Sequence, residues 1–307
     1  MMPVAVVGSV ALDTVETPHG CREGLLGGSA TFFAAAARFF APVRVVGAVG
    51  DDFPATDERL LHELGVDTAL LDRRPGRTYA WHGRYGSDYA NATTIARDTG
   101  VFEDYSPQLP AAPELGALFL GAIAPPLQQH VLESWPDIPL VALDTREAWI
   151  EEARIDVLSL SARVDWLIVN VFELAALTGH EAMEPGVQEL FGRGVRGIVV
   201  KRGAEGATLF CDGRMLSVPA FRTRVVDPTG AGDAFAGGFV ATIASAHDGD
   251  RVSALAQGLR RGAALASVTV EGFGLEALAA VERAEIEARA AAIEVKAEPF
   301  GPCASRS

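Results

Sequence analysis

Short apolar runs rich in β-branched residues recur along the chain, at 4–7, 43–49, 118–123, 140–143, 166–169 and 198–200. They are nearly continuous rather than alternating, which is the pattern of strands buried on both faces. Between them lie stretches of helical character at 29–40, 57–64, 172–178 and 187–193. Ser29 is placed to cap the first, and Gly65 and Gly179 to stop the second and third. This alternation predicts an α/β fold, a mostly parallel sheet with helices on both sides. Two segments depart from it. Residues 10–27 and 73–100 lack helical periodicity, and the second carries Thr78, Tyr79, Trp81, Tyr85 and Tyr89 among Gly, Asp and Arg. They predict exposed hairpin strands that form a small β-rich lid. Asp212-Gly213, between 208–211 and 215–218, predicts a further hairpin. The charged, Ala-rich stretch 276–297 predicts a solvent-facing terminal helix.

One motif changes the picture from fold to chemistry. Asp227-Pro-Thr-Gly-Ala-Gly-Asp233 runs straight into the small, apolar stretch 234–244, which predicts a buried helix. Gly230 and Gly232 let the backbone turn tightly and approach an anion, while the unpaired N–H groups of a first helical turn point at it. Asp233 then stands where a hydroxyl would be deprotonated beside the phosphoryl group it attacks. The plainer alternative is a Gly-rich loop capping a helix whose first-turn Asp answers the dipole.

Composition narrows the partners. A chain of 307 residues with 49% hydrophobic residues supports a substantial core. A formal net charge of −14 leaves no basic footprint for nucleic acid or an anionic membrane. A small anion is still compatible, because a local cradle of N–H groups needs no global positive charge. Cys21, Cys211 and Cys303 form no C-x-x-C pair, and the six histidines are scattered, so neither a disulfide framework nor a histidine metal site is expected. The run at 4–7 follows no basic segment, and 115–124 is too short to span a bilayer. A soluble cytoplasmic protein is expected. Lysine occurs twice, at Lys201 and Lys296, and neither precedes Ser or Thr, which excludes a Walker A loop. Protein-kinase H-R-D and D-F-G motifs are missing, and Gly8-Ser-Val-Ala-Leu-Asp13 lacks the later glycines of a dinucleotide fingerprint.

Taken together, these residues resemble the ribokinase, or PfkB, family of carbohydrate kinases over essentially the whole chain. Besides 227–233 and the following Ala234-Phe-Ala-Gly-Gly238, four markers occur in order: Gly27-Gly28 heading a helix, Gly50-Asp51-Asp52, Asn170-Val-Phe-Glu173, and Lys201-Arg-Gly-Ala-Glu-Gly206. The resemblance implies a three-layer ribokinase-like domain over 1–300, with the lid at 10–27 and 73–100 and a tail at 301–307. It implies an ATP-dependent kinase acting on a hydroxyl of a sugar or polyol. A nucleoside kinase of the same fold is the alternative, and a noncatalytic sugar or nucleotide sensor is a more distant one.

By resemblance, Asp233 would be the general base, and the N–H groups of Gly230, Ala231 and Gly232 would hold the transferring phosphoryl group. Asn170 and Glu173 would organise Mg²⁺ through water, although a helix cap with Glu in its first turn reads equally well locally. Lys201, Gly203, Gly206, Thr229 and Gly272 would line the nucleotide, with Asn170, Gly230 and Gly232 also facing it. Asp227 and Thr229 border the position where family members hold a monovalent cation such as K⁺. Asp13, Gly27 and Gly28 match the positions that contact the acceptor, and Phe32 stands where the family often has Asn. Arg97 would meet an anionic substituent. The flap aromatics would stack on a ring or pack on each other, and a homodimer through the lid is expected.

Overall fold

The computed structural model describes residues 2–89, 92–111, 114–246 and 251–301. Chain order is β1 (Val4–Val7), β2 (Ala11–Thr17), β3 (Gly20–Gly27), α1 (Ser29–Ala37), β4 (Val43–Val49), α2 (Ala55–Glu63), β5 (Val66–Arg73), β6 (Ala80–Tyr85) and β7 (Ala92–Asp98). There follow β8 (Ala117–Leu120), α3 (Pro125–Ser134), β9 (Val141–Asp144), α4 (Glu147–Ser161), β10 (Trp166–Asn170), α5 (Val171–Thr178), α6 (Met183–Gly192) and β11 (Gly197–Lys201). The chain ends with β12 (Ala207–Cys211), β13 (Arg214–Val218), α7 (Ala231–Ala244), α8 (Arg251–Thr269), α9 (Glu276–Ala280), α10 (Arg283–Ala292) and β14 (Lys296–Pro299).

Among the described residues, ten strands form one sheet in the order β14-β13-β12-β11-β10-β9-β8-β1-β4-β5. From β5 to β11 all neighbours are parallel, and β12, β13 and β14 add antiparallel at one edge. The apolar runs read from the sequence are these parallel strands, with β1, β8 and β9 buried at every residue. One core joins the sheet to α1, α2 and α7–α10, and a second joins its other face to α3–α6. The molecule is thus the three-layer α/β fold that the alternation predicts. Gly237 and Gly238 let α7 lie against α1 and α8, since a Cβ on Gly237 would strike the Phe33 carbonyl of α1 and one on Gly238 the Leu265 side chain of α8.

A second sheet, β3-β2-β6-β7, stands apart from the first. Its middle pair, β2 and β6, is parallel, with Thr14 opposite His82 and Glu16 opposite Arg84. Its base is pinned by Asp52, which accepts from both the N–H and the hydroxyl of Thr78 at 2.7 Å, while Thr78 Oγ1 accepts from the Gly50 N–H at 3.0 Å. The Gly50-Asp51-Asp52 marker therefore anchors the entry to β6.

The expected terminal helix at 276–297 is instead α9, α10 and the edge strand β14. Val281 and Glu282 are extended, and Leu278, Ile286, Ala290 and Ile293 are buried in the core. The apolar positions overrode the surface reading that the charges suggested. Helix α1 is capped by Gly28 rather than Ser29, whose N–H donates to Ser9 Oγ. Of the expected tail, 302–307 lies outside the described residues, and with it Cys303. No helix among the described residues is long and apolar enough to cross a membrane.

Candidate active site

The parallel strands end on one edge, and the motif turn closes over it. Gly230 caps α7 with φ 74° and ψ 0°. Asp227, 1% exposed, shapes the turn by accepting the Thr229 N–H at 2.9 Å and the Gly274 N–H at 3.2 Å, which ties it to the loop before α9. The Ala231 N–H donates to Pro228 O at 3.2 Å. Among the described residues, the N–H groups of Gly230 and Gly232 have no protein acceptor. The turn thus presents two open donors at a helix N-terminus, the arrangement that attracts an anion.

Asp233 sits half-buried in the first turn of α7. Burial raises its carboxyl to about 7, Asp144 adds to the rise, and Lys201 with the residue's own N–H opposes it. A carboxylate in that range takes up a proton near neutral pH, which suits a general base. Across the cleft Asp13, 4% exposed on β2, is also raised to about 7 by burial. Backbone N–H groups of Trp81 and Gly28 pull it back, and Asp227 and Asp233 push it further up. Its Oδ1 is buried without a hydrogen-bond partner. A Cβ on Gly27 would collide with the Asp13 carboxyl, so this glycine makes room for the acid. An orphaned buried oxygen is costly and marks a place where a ligand donor belongs.

The lid's inner face completes the enclosure. Trp81 covers Gly83 and meets Tyr85 edge-on at 6.5 Å between ring centres. Thr229 donates to the Tyr85 hydroxyl at 3.3 Å, which joins lid to anion turn. At the strand ends Lys201 Nζ donates to Asp144 Oδ2 at 2.8 Å. Burial opposes the lysine's charge, but Asp144 and then Glu173 more than offset it and hold the ammonium above its usual range. Asn170 Oδ1 accepts the N–H groups of Phe172 and Glu173, and Glu173 Oε2 accepts that of Asn170. The pair is a capping box. Burial raises Glu173 to about 8, against the pull of Lys201.

The model of the pfkB family of carbohydrate kinases matches residues 2–280. The chain belongs to this family. It is 30% identical over 250 residues to the cytidine kinase of Thermococcus kodakarensis, covering 78% of this chain and 88% of that one. It is 26% identical over 262 residues to the deoxyribokinase of Salmonella typhi, covering 78% and 84%. The nucleoside kinase of Methanocaldococcus jannaschii, an archaeal member of the ribokinase family, superposes with a TM-score of 0.78 at 20% identity, covering 95% of this chain and 99% of that one. The protein is accordingly a phosphotransferase that carries a phosphoryl group from ATP to a hydroxyl of a sugar or nucleoside.

Within this pfkB kinase the fold brings together Asp13, Gly27, Lys201, Gly230, Gly232 and Asp233. Asn170 and Glu173 stand at the adjacent strand end, since Asn170 pairs with Lys201 in register. Gly28 caps α1 behind Gly27. Gly203 and Gly206 shape the turn from β11 to β12, and Gly272 lies in the loop tied to Asp227. One expectation changes. Phe32 is 2% exposed and lies under Gly230, so its ring is the floor of the anion turn and not a wall of the acceptor space. Arg97 is exposed on the edge strand β7, directly opposite Trp81 in the antiparallel register, so it stands on the lid face that bears the aromatic rings. The partner of Lys201 is Asp144, whose strand-end position was its one signal in the sequence.

Proposed function

We propose that the acceptor is a nucleoside and that its primary hydroxyl is phosphorylated. The observation that carries this reading is the buried, unpartnered Oδ1 of Asp13 on the lid face that also bears Trp81 and Tyr85. A carboxylate with a free oxygen accepts neighbouring ribose hydroxyls, and aromatic rings beside it give a base an apolar contact. The 30% identity to a cytidine kinase supports the same choice. In the transfer, Asp233 takes the proton of the acceptor hydroxyl as its oxygen bonds to the γ-phosphorus. The bond from that phosphorus to the bridging oxygen breaks, and ADP leaves with the electron pair. The open N–H groups of Gly230 and Gly232 hold the charge on the group in flight.

The residues present also fit a Mg²⁺ ion. Asn170 Oδ1 is already occupied by two N–H groups, but Glu173 keeps one oxygen outside its cap, and a cation would return this raised carboxyl to its ionised form. Contact through water is the mode Mg²⁺ favours. When bound it would neutralise charge on the β- and γ-phosphates.

Nucleosides screened against free sugars, with a nonhydrolysable ATP analogue present, test the acceptor. A ligand at 100 times its Kd adds about 2.7 kcal/mol of stability, a readily measured rise in Tm. Nucleosides are expected to give the rise; a response to sugars alone would return the acceptor to a free sugar. Cytoplasmic location belongs to the same reading, as does self-association through the lid. Edge strand β7 leaves Ile95 43% exposed, and the outer face carries Glu16 bonded to His82 and Arg84. Sedimentation at micromolar concentration is expected to show dimers, and Ile95→Lys to return monomers. A wild-type protein that sediments as monomers alone would remove the lid contact from the proposal.

A further inference from the structure

Beside the anion turn lies a buried ion pair to which proton transfer and phosphate cradling assign no task. Asp144 ends β9 and Lys201 ends β11, on either side of β10. These strands run parallel, so both residues leave the sheet at the edge where open α/β sheets take ligands. The Asp144 carboxylate is fully engaged: Oδ2 accepts from Lys201 Nζ at 2.8 Å and Oδ1 accepts from the Thr145 N–H at 2.8 Å. Its side chain is 3% exposed, whereas that of Lys201 keeps 17%. The cation is therefore the member that faces the cleft. A Cβ placed on Gly232 would lie 3.2 Å from Lys201 Nζ, which puts the ammonium against the first turn of α7.

Stability does not account for this arrangement well, because a buried ion pair is often no better than apolar side chains of the same size. Lysine is a point charge on a flexible stem, and it is aimed only when a partner holds it. We propose that Asp144 is a positioning residue for phosphoryl transfer, which anchors the Lys201 ammonium against Gly232 so that it meets the group in flight. This rests on the kinase reading of the turn. Asp144 has a second consequence through its own charge. The groups facing Asp233 are Asp144 and Lys201 from the sheet and Asp13 and Tyr85 from the lid; Lys201 in turn also faces Glu173. Deleting the Asp144 charge while Lys201 stays cationic leaves burial as the main cause of the raised carboxyl but removes the second, and the acidic limb of activity moves to lower pH.

Steady-state kinetics of Asp144→Asn test the inference. Its kcat is expected to fall about 10- to 100-fold, by analogy with the loss seen when the partner that orients a metal ligand is removed. The acceptor KM should stay within about threefold, since the acceptor is held elsewhere, and the acidic limb of kcat should shift down. Lys201→Met combined with Asp144→Asn removes both charges and leaves neither orphaned. That double variant is expected to keep its Tm and still turn over slowly. A purely structural pair predicts the opposite, with kcat returning to wild type in the double variant, and that result would overturn the positioning role. If wild-type protein shows no acceptor-dependent ADP release, the kinase reading falls with it. Wild-type turnover alongside unchanged Asp144→Asn kinetics sinks the positioning role alone.

Discussion

Asp233→Asn is expected to fold and to bind ATP with little change while kcat drops about 10²- to 10⁴-fold, the span of a positioned general base. The amide has the shape of the acid and keeps the first turn of α7 intact, but it cannot accept the acceptor's proton. The same residue sets the pH dependence of the wild-type enzyme. Burial, and then Asp144, raise its carboxyl from 3.8 to about 7. The base works deprotonated, so kcat is expected to rise with pH through about 7. Stability runs the other way. A carboxyl raised in the folded state favours the protonated form, so its stabilising contribution is present below 3.8 and is lost as pH rises to about 7. Asp13 is raised in the same direction. The two are separable, because Asp13→Asn acts on acceptor binding and is expected to raise KM, whereas Asp233→Asn lowers kcat. Retention of wild-type turnover by Asp233→Asn, or a limb near 4 in kcat (the range of an unperturbed carboxylate), would take Asp233 out of the base role.

How much of this was legible in the sequence follows from which forces are local. The strands β1, β8 and β10 are read directly, because a parallel sheet covered on both faces demands unbroken apolar runs. The anion turn is read from glycine spacing, since only a tight backbone exposes N–H groups in that way. Neither the parallel pairing of β2 with β6 nor the seating of their inner faces over the turn can be read, because the pairing joins segments far apart in the chain. Phe32 shows the limit most clearly. Counting from Gly27-Gly28 places it near the acceptor, yet the packing of α1 on α7 carries its ring beneath Gly230. Asn170 and Glu173 show a different limit, where both local readings hold at once. The capping box is present, and the buried carboxyl that closes it still has an oxygen to offer a cation. Asp144 and Lys201 stand far apart in sequence and meet only because strand order places β9 and β11 either side of β10.

Gly230→Ala is expected to abolish most activity without unfolding the protein, because two constraints meet at that one α-carbon. Its φ of 74° is left-handed, a region that costs an L-residue roughly 1–2 kcal/mol. A Cβ there would also land in the Phe32 ring, which is 2% exposed within the core and has no room to retreat. The backbone must give instead, and with it the aim of the Gly230 and Gly232 N–H groups. Losing one such donor typically costs 10²- to 10³-fold, so kcat is expected to fall by at least about 10². Gly232→Ala makes the comparison informative. Its backbone is not left-handed, and the nearest atom to a new Cβ is the far end of the Lys201 side chain at 3.2 Å. This variant is expected to keep its Tm and the turn while displacing the ammonium, with a smaller loss in kcat. Adding Phe32→Leu to Gly230→Ala removes ring atoms in the path of the methyl group and is expected to recover some stability. It should not restore turnover, because the left-handed strain that misdirects the donors is still there. Wild-type kcat/KM for ATP in Gly230→Ala, measured on protein of confirmed fold, would mean that the transferring group is cradled somewhere other than this turn.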